Sequence, residues 1–163
     1  MKLKQFNFKK VKSTNQTAIR IIRKTKNEFG LIVSQSQSSG KGQYGRKWIS
    51  YKGNIFLSFF YKLKKINLSM NSLTKKNCFL VKDVISKYYK KKICGILQEK
   101  IKNSTNEYLV VGIGLNLFKS PNIIGYPTTN LFEITNKKIN KKLFEKQLKI
   151  TFEKFLSKYY KTN

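Results

Sequence analysis

The chain has no histidine, two cysteines, two prolines and only seven acidic residues in 163 positions. Each shortage removes a class of chemistry. Without histidine there is no imidazole base near neutral pH and no ring nitrogen to complete a zinc site. Cys78 and Cys94 are too few and too isolated to build a disulfide framework. No run of roughly 18 apolar residues exists, so no segment reads as a membrane-spanning helix. The opening Met1-Lys2-Leu3-Lys4-Gln5-Phe6 lacks the apolar core and small-residue cleavage site of a secretory signal, and a cytoplasmic location is expected. Catalysis in such a chain runs on alignment and electrostatics, or on Lys, Asp or Glu.

What is abundant is positive charge. Lysine and arginine number 35, for a net charge of +28. A basic surface suits nucleic acid, whose phosphates it neutralises. Here, however, only Arg20, Arg23 and Arg46 are arginines, and the lysines are scattered among many Asn and Ile. That is the signature of low-GC codons rather than of a binding face, so nucleic acid is not the expected main partner. The field still draws in ATP or an acidic protein. Hydrophobic content of 40% with 13% aromatic residues argues for a folded core, and the length suits one domain.

In chain order, Phe6 to Val11 reads as a short strand, and Ala18, Ile19, Ile21 and Ile22 follow at helical spacing. Ser13 or Asn15 stands where it would cap that helix by accepting from its free N–H groups. Gly30-Leu31-Ile32-Val33 is a compact buried strand, and Ile55 to Tyr61 is a longer one. Leu73, Asn77, Leu80, Val81, Val84, Ile85 and Tyr88 define an amphipathic helix from about Ser72 to Tyr89, with Lys75, Lys76 and Lys87 outward. Cys94–Lys100 pairs with a strand over Glu107–Leu117 across Asn103-Ser104-Thr105-Asn106. Phe144, Leu148, Phe152, Phe155 and Tyr159 place a closing helix on the sheet. The expected fold class is α/β (α+β), a mixed β-sheet packed by helices on one main side.

The chemistry concentrates in Gly40-Lys41-Gly42-Gln43-Tyr44-Gly45-Arg46-Lys47-Trp48, continued by Ile49 to Asn54. Glycines let backbone N–H groups converge on an anion, and Lys41, Arg46 and Lys47 add charge. The stretch lacks the strand-in, helix-out context of a dinucleotide fingerprint. It reads instead as a loop between two strands that folds over a ligand. Gly112 and Gly114 are costly inside a strand and point to another group approaching the backbone closely.

Gly40, Gly42, Gly45, Arg46, Trp48, Ser50, Gly53 and Asn54 match in order and spacing the Gly-Arg-Gly-Arg-x-Gly-Arg-x-Trp…Ser-x-x-Gly-Asn signature of biotin protein ligases. Ser13-Thr14-Asn15, Gly95-Ile96-Leu97 and Gly112-Ile113-Gly114-Leu115-Asn116 resemble three further motifs of that family. Two departures stand out. The signature's early arginines are Lys41 and Gln43, and lysine cannot fork onto a carboxylate or phosphate as arginine does. The family's Lys-Trp-Pro-Asn-Asp strand is absent, which implies a deletion near Lys90 to Ile93 that leaves the preceding helix whole.

The resemblance implies a single biotin/lipoate ligase-type catalytic domain over residues 1–163, without the DNA-binding N-terminal or small C-terminal domain of some relatives. It implies ATP, Mg2+ and biotin as reactants and a biotin carboxyl carrier protein, such as an acetyl-CoA carboxylase subunit, as partner. Ser13, Thr14, Asn15 and Gln37 would meet biotin, while Lys41, Gly42, Gln43 and Arg46 would hold the phosphate and acyl adenylate. Gly40, Gly45, Trp48 and Asn116 would flank the nucleotide, and Lys92 would face the acyl carbonyl. Arg46 and Lys92 are the expected catalytic residues, and no protein metal site is expected. Two rival readings are a catalytically impaired homologue that still binds biotin or adenylate, and a basic nucleic-acid-binding domain.

Overall fold

The computed structural model describes residues 1–87, 93–124 and 127–161. The elements run β1 Gln5–Phe8, α1 Thr14–Lys24, β2 Phe29–Ser34, β3 Gly40–Lys41, β4 Lys47–Trp48 and β5 Ile55–Lys62. They continue with α2 Met70–Ser86, β6 Cys94–Asn103, β7 Asn106–Leu115, α3 Leu131–Thr135 and α4 Lys141–Tyr159. Short 3-10 turns occupy Gln43–Gly45 and Leu63–Lys65.

Five strands form the main sheet in the order β1-β2-β5-β7-β6. β1 and β2 are parallel, and every other neighbouring pair is antiparallel. The apolar run of β5 explains its central place, since Ile55 to Tyr61 are all buried and such a strand needs cover on both faces. Ser104 and Thr105 turn β6 into β7, with Ser104 at φ 52°, the left-handed geometry that tight hairpins require.

Side chains alternate across this sheet, and the two faces pack differently. One face carries Leu57, Phe59, Tyr61, Leu109, Val111 and Ile113 against Leu73, Val81 and Val84 of α2 and Phe144, Leu148 and Phe152 of α4. The Phe59 and Phe152 rings stack with centroids 3.8 Å apart. Burying each such side chain contributes about 1.5–3 kcal/mol of transfer free energy. The other face carries Ile32, Phe60, Tyr108 and Val110, covered by Ala18 and Ile22 of α1. Helices therefore flank both faces, where the sequence suggested one main side. α1 is short, and its apolar stripe covers only one end of the second face.

Helix ends follow local chemistry. The side chains of Ser69, Asn130 and Asn140 accept from Ser72, Glu133 and Leu143 N–H groups. α1 departs from expectation. Ser13 occupies the N-cap position, but neither it nor Asn15 caps with its side chain. The Thr14 N–H donates instead to Gln37 Oε1 at 2.8 Å, a tertiary substitute for the cap. The first strand is also shorter than the Phe6 to Val11 reading, because Val11 forms only an isolated bridge to Gln37. α2 is uninterrupted through Lys82 and Asp83, as its apolar period required. Its expected continuation to Tyr89 lies outside the described residues. Among the described residues no helix is long and apolar enough to cross a membrane.

Candidate functional site

Beyond the cover of α1, the second face of the sheet carries three glycines beside Phe56 and Leu97. Gly95 on β6 sits opposite Gly114 on β7, and Gly112 follows one pleat away. This glycine floor receives two side chains from elsewhere. A Cβ on Gly114 would lie 2.5 Å from the Trp48 indole, and one on Gly95 2.6 Å from the same ring. A Cβ on Gly112 would collide with the Asn15 amide. These glycines answer the puzzle that they posed inside a strand: the approaching groups are Trp48 and Asn15.

Asn15 is buried within the first turn of α1 and connects three elements. Its Nδ2 donates to Glu99 Oε2 at 2.6 Å and to the Leu97 carbonyl at 3.3 Å, both on β6. Its Oδ1 accepts from the Ser58 hydroxyl of β5 at 2.5 Å. Beside it, Thr14 presents both N–H and Oγ1 to Gln37 Oε1, at 2.8 and 3.1 Å. Gln37 Nε2 then donates to the Ser50 hydroxyl at 3.3 Å. Ser13 is buried in the same wall. Four of the sequence-predicted residues, Ser13, Thr14, Asn15 and Gln37, thus form one polar rim over the glycine floor. Amides and hydroxyls in this arrangement offer both donors and acceptors.

The glycine-rich stretch is a hairpin. β3 and β4 pair Gly40 with Trp48 and Lys41 with Lys47, and the Gly42 N–H donates to the Arg46 carbonyl at 2.7 Å. The tip places Tyr44 at φ 56° and Gly45 at φ 73°. The glycine adopts that backbone freely, whereas Tyr44 holds it at some cost and is 92% exposed. The hairpin is tied down by Gln43, whose Nε2 donates to the Ile96 carbonyl of β6 at 2.9 Å. Lys41 and Arg46 are exposed on it. Trp48 lays its ring on the floor, with Nε1 buried and lacking an acceptor among the described residues. A buried N–H without a partner is expensive, at about 1–3 kcal/mol, and suits a site that gains an acceptor with a ligand.

Asn116 lies just past the end of β7 and does not join this rim. Its Oδ1 accepts from Asn54 Nδ2 at 3.1 Å, and its own Nδ2 donates to the Thr129 carbonyl at 3.4 Å. Asn54, fully buried, accepts through Oδ1 from the N–H groups of Leu117, Phe118 and Lys119 at 3.1–3.3 Å. Lys141 Nζ donates to the Asn54 carbonyl at 2.6 Å. Burial holds that ammonium below the usual lysine range, with Glu145 at 3.7 Å pulling it back up. This knot shapes the loop after β7 next to the floor. Lys92, expected at the acyl carbonyl, lies outside the described residues. Sequence reasoning missed Glu99, Ser58 and Lys141 as participants. The local signal for Glu99 was an acid facing the same side of β6 as Gly95, two pleats along.

No group of three or more His, Cys, Asp or Glu side chains that could hold a metal occurs among the described residues. A Mg2+ ion that arrives on phosphates needs one or two carboxylates at most.

The fold is shared with known proteins. A profile described as the biotin/lipoate A/B protein ligase family matches residues 7–82. The biotin protein ligase of Leishmania major, solved in complex with biotinyl-5-AMP, superposes with a TM-score of 0.80 at 18% identity, over 97% of this chain and 76% of that one. The biotin protein ligase of Aquifex aeolicus in complex with biotin and ATP gives 0.77 at 24% identity, over 95% and 71%. The biotin acetyl coenzyme A carboxylase synthetase of Helicobacter pylori with bound biotinylated ATP gives 0.69 at 19% identity, over 94% and 75%. The shared architecture is a mixed sheet packed by helices.

Proposed function

We propose that this chain, whose residues 7–82 match the biotin/lipoate A/B protein ligase family profile, joins biotin to a lysine of a biotin carboxyl carrier protein through biotinyl-5′-AMP. In the first step a biotin carboxylate oxygen attacks the α-phosphorus of Mg-bound ATP, and pyrophosphate leaves with the bridging oxygen. In the second, the neutral amine of a carrier lysine attacks the acyl carbon and loses a proton as AMP departs. Neither step requires an enzyme nucleophile, so a chain without histidine is equal to both. Alignment and positive charge around developing anions carry the rate.

The observation that supports this most is the polar rim over the glycine floor. Thr14, Asn15 and Gln37 supply donors and acceptors that a ureido ring uses, and that the dithiolane of lipoate would leave unanswered. The hairpin residues Gly40, Lys41, Gly42, Gln43, Gly45 and Arg46 are assigned to the carboxylate–phosphate end, with Lys41 and Arg46 as its exposed cations. Trp48 is assigned to the base, Asn116 and its knot to the nucleotide side, and Lys92 to the acyl carbonyl. One specific feature favours a second reading, in which the protein binds biotin or its adenylate but turns over slowly. β6 is the outermost strand of the main sheet, so the family's Lys-Trp-Pro-Asn-Asp strand has no counterpart among the described residues.

One experiment tests both readings. Purified protein is incubated with biotin, MgATP and a carrier domain, and pyrophosphate release and the carrier mass are followed. A gain of one biotinyl unit with stoichiometric pyrophosphate is the expected result. Retention of biotinyl-AMP without transfer favours the second reading, and failure to bind biotin or its adenylate sinks both.

A further inference from the structure

Across the sheet from the candidate site, α2 and α4 leave a groove of about 660 Å³ between their outer faces. Its floor is apolar: Phe79, Leu80, Ile150 and Phe155 line it. Phe79 is 64% exposed and Ile150 39% exposed, side chains that a helical layer would ordinarily turn inward. An apolar strip rimmed by polar groups is the usual mark of an interaction surface. The rim here has one dominant sign. Lys76, Lys87, Lys154 and Lys158 surround the groove, against the single carboxylate of Asp83. Among the described residues none of these lysines has a carboxylate partner within ion-pair distance. Lys76 and Lys158 rest instead over the Tyr159 ring, 4.9 and 5.4 Å from its centroid. Ile150, Lys154 and Lys158 also line a second depression beside α4, together with Lys2 and Glu153.

We infer that this groove docks an acidic amphipathic helix of a partner protein, with apolar side chains on Phe79 and Ile150 and flanking carboxylates on the four lysines. Three occupants compete. A second copy of this chain brings a net charge of +28 against a rim of the same sign. Nucleic acid satisfies the lysines but offers no aliphatic face for Phe79. A bilayer is flat, whereas the apolar residues here line a trough between two helices, the geometry of helix-in-groove recognition. The groove and the glycine floor lie on opposite faces of the sheet, so a partner held here leaves the candidate site open. Docking of this kind would hold a partner near the enzyme independently of the group being modified.

The test uses the full chain and a designed peptide of about 18 residues, or five helical turns, with leucine on one face and glutamate on both flanks. Its glutamine-flanked analogue is the control. The acidic peptide should bind in fluorescence anisotropy and perturb amide resonances along α2 and α4. Phe79→Asp and the pair Lys154→Glu/Lys158→Glu should each weaken it about tenfold or more. Lys10→Glu/Lys137→Glu, the same charge change elsewhere on the surface, should cost far less. Equal losses from the two lysine pairs, shifts away from the groove, or equal binding of the glutamine peptide would overturn the inference. So would binding to mixed phosphatidylcholine–phosphatidylglycerol vesicles, abolished by Phe79→Asp, with no binding of the acidic peptide.

Discussion

On one face of the sheet, Phe59 of β5 stacks on Phe152 of α4 in a dry helical layer. On the other, the preceding residue Ser58 gives its hydroxyl to Asn15 above a floor of glycine. One strand thus serves two different tasks. The helical face fills space with carbon and gains stability from contact. The opposite face withholds side chains at Gly95, Gly112 and Gly114, and fills the opening with an indole and amides borrowed from distant segments. Stability and recognition are in this way divided across a single layer of backbone. A change to one face should leave the other measurable.

The largest effect is expected on the helical side. Phe152→Ala empties the stack on Phe59 and should destabilise the fold by about 3–5 kcal/mol in urea titration. Biotin affinity at a temperature where the variant is still folded should stay near the parent value, and a parallel collapse of both would erase the division. Next comes the knot at the end of β5. Asn54→Ala strands the three N–H groups of Leu117, Phe118 and Lys119 and should cost about 2–3 kcal/mol. Because the knot borders the floor, this variant should lower both stability and nucleotide retention. Calorimetric titration with biotin and ATP, beside the urea curve, reads the two together.

On the glycine side the balance reverses. Gly114→Val would drive a side chain into Trp48 and lift the indole from its floor. Retention of biotinyl-AMP should fall at least about tenfold, or 1.4 kcal/mol, with a smaller shift in the unfolding midpoint than Phe152→Ala produces. Unchanged retention would separate the Trp48 floor from the ligand.

The smallest effect sharpens the helical side. Glu28 bonds Lys62 at 3.2 Å and Lys65 at 3.1 Å. Burial alone would raise its carboxyl, but Lys65 and Lys62 outweigh that and hold it below the ordinary 4.5. A depressed folded pKa means stability that is present above 4.5 and lost as pH falls through the folded value. With the carboxylate 31% exposed, the contribution is under about 1 kcal/mol. The melting-temperature gap between parent and Glu28→Gln should therefore shrink on going from near-neutral pH to about pH 3. A constant gap would show that the carboxylate charge is not what matters there.

Much of this molecule was written in short stretches of chain. The run from Ile55 to Tyr61, apolar but for Ser58, identified β5, the three-to-four spacing from Leu73 to Ile85 kept α2 whole through Lys82 and Asp83, and the turn at Ser104-Thr105 paired β6 with β7. The same kind of local signal marked Gly112 and Gly114 as places of close approach, though not what approaches. Asn15 reads locally as a cap, and only folding sends it to Ser58, 43 positions away, and to Glu99, 84 positions away. Trp48 reads as core filler or cover, and only the register of β6 against β7, which sets Gly95 beside Gly114, gives its ring a floor. Backbone propensity and side-chain period act over a few residues, so sequence alone determines the elements and the faces they bury. Which side chain from one element meets which gap in another depends on strand register and the placement of α1, and only the assembled sheet decides that.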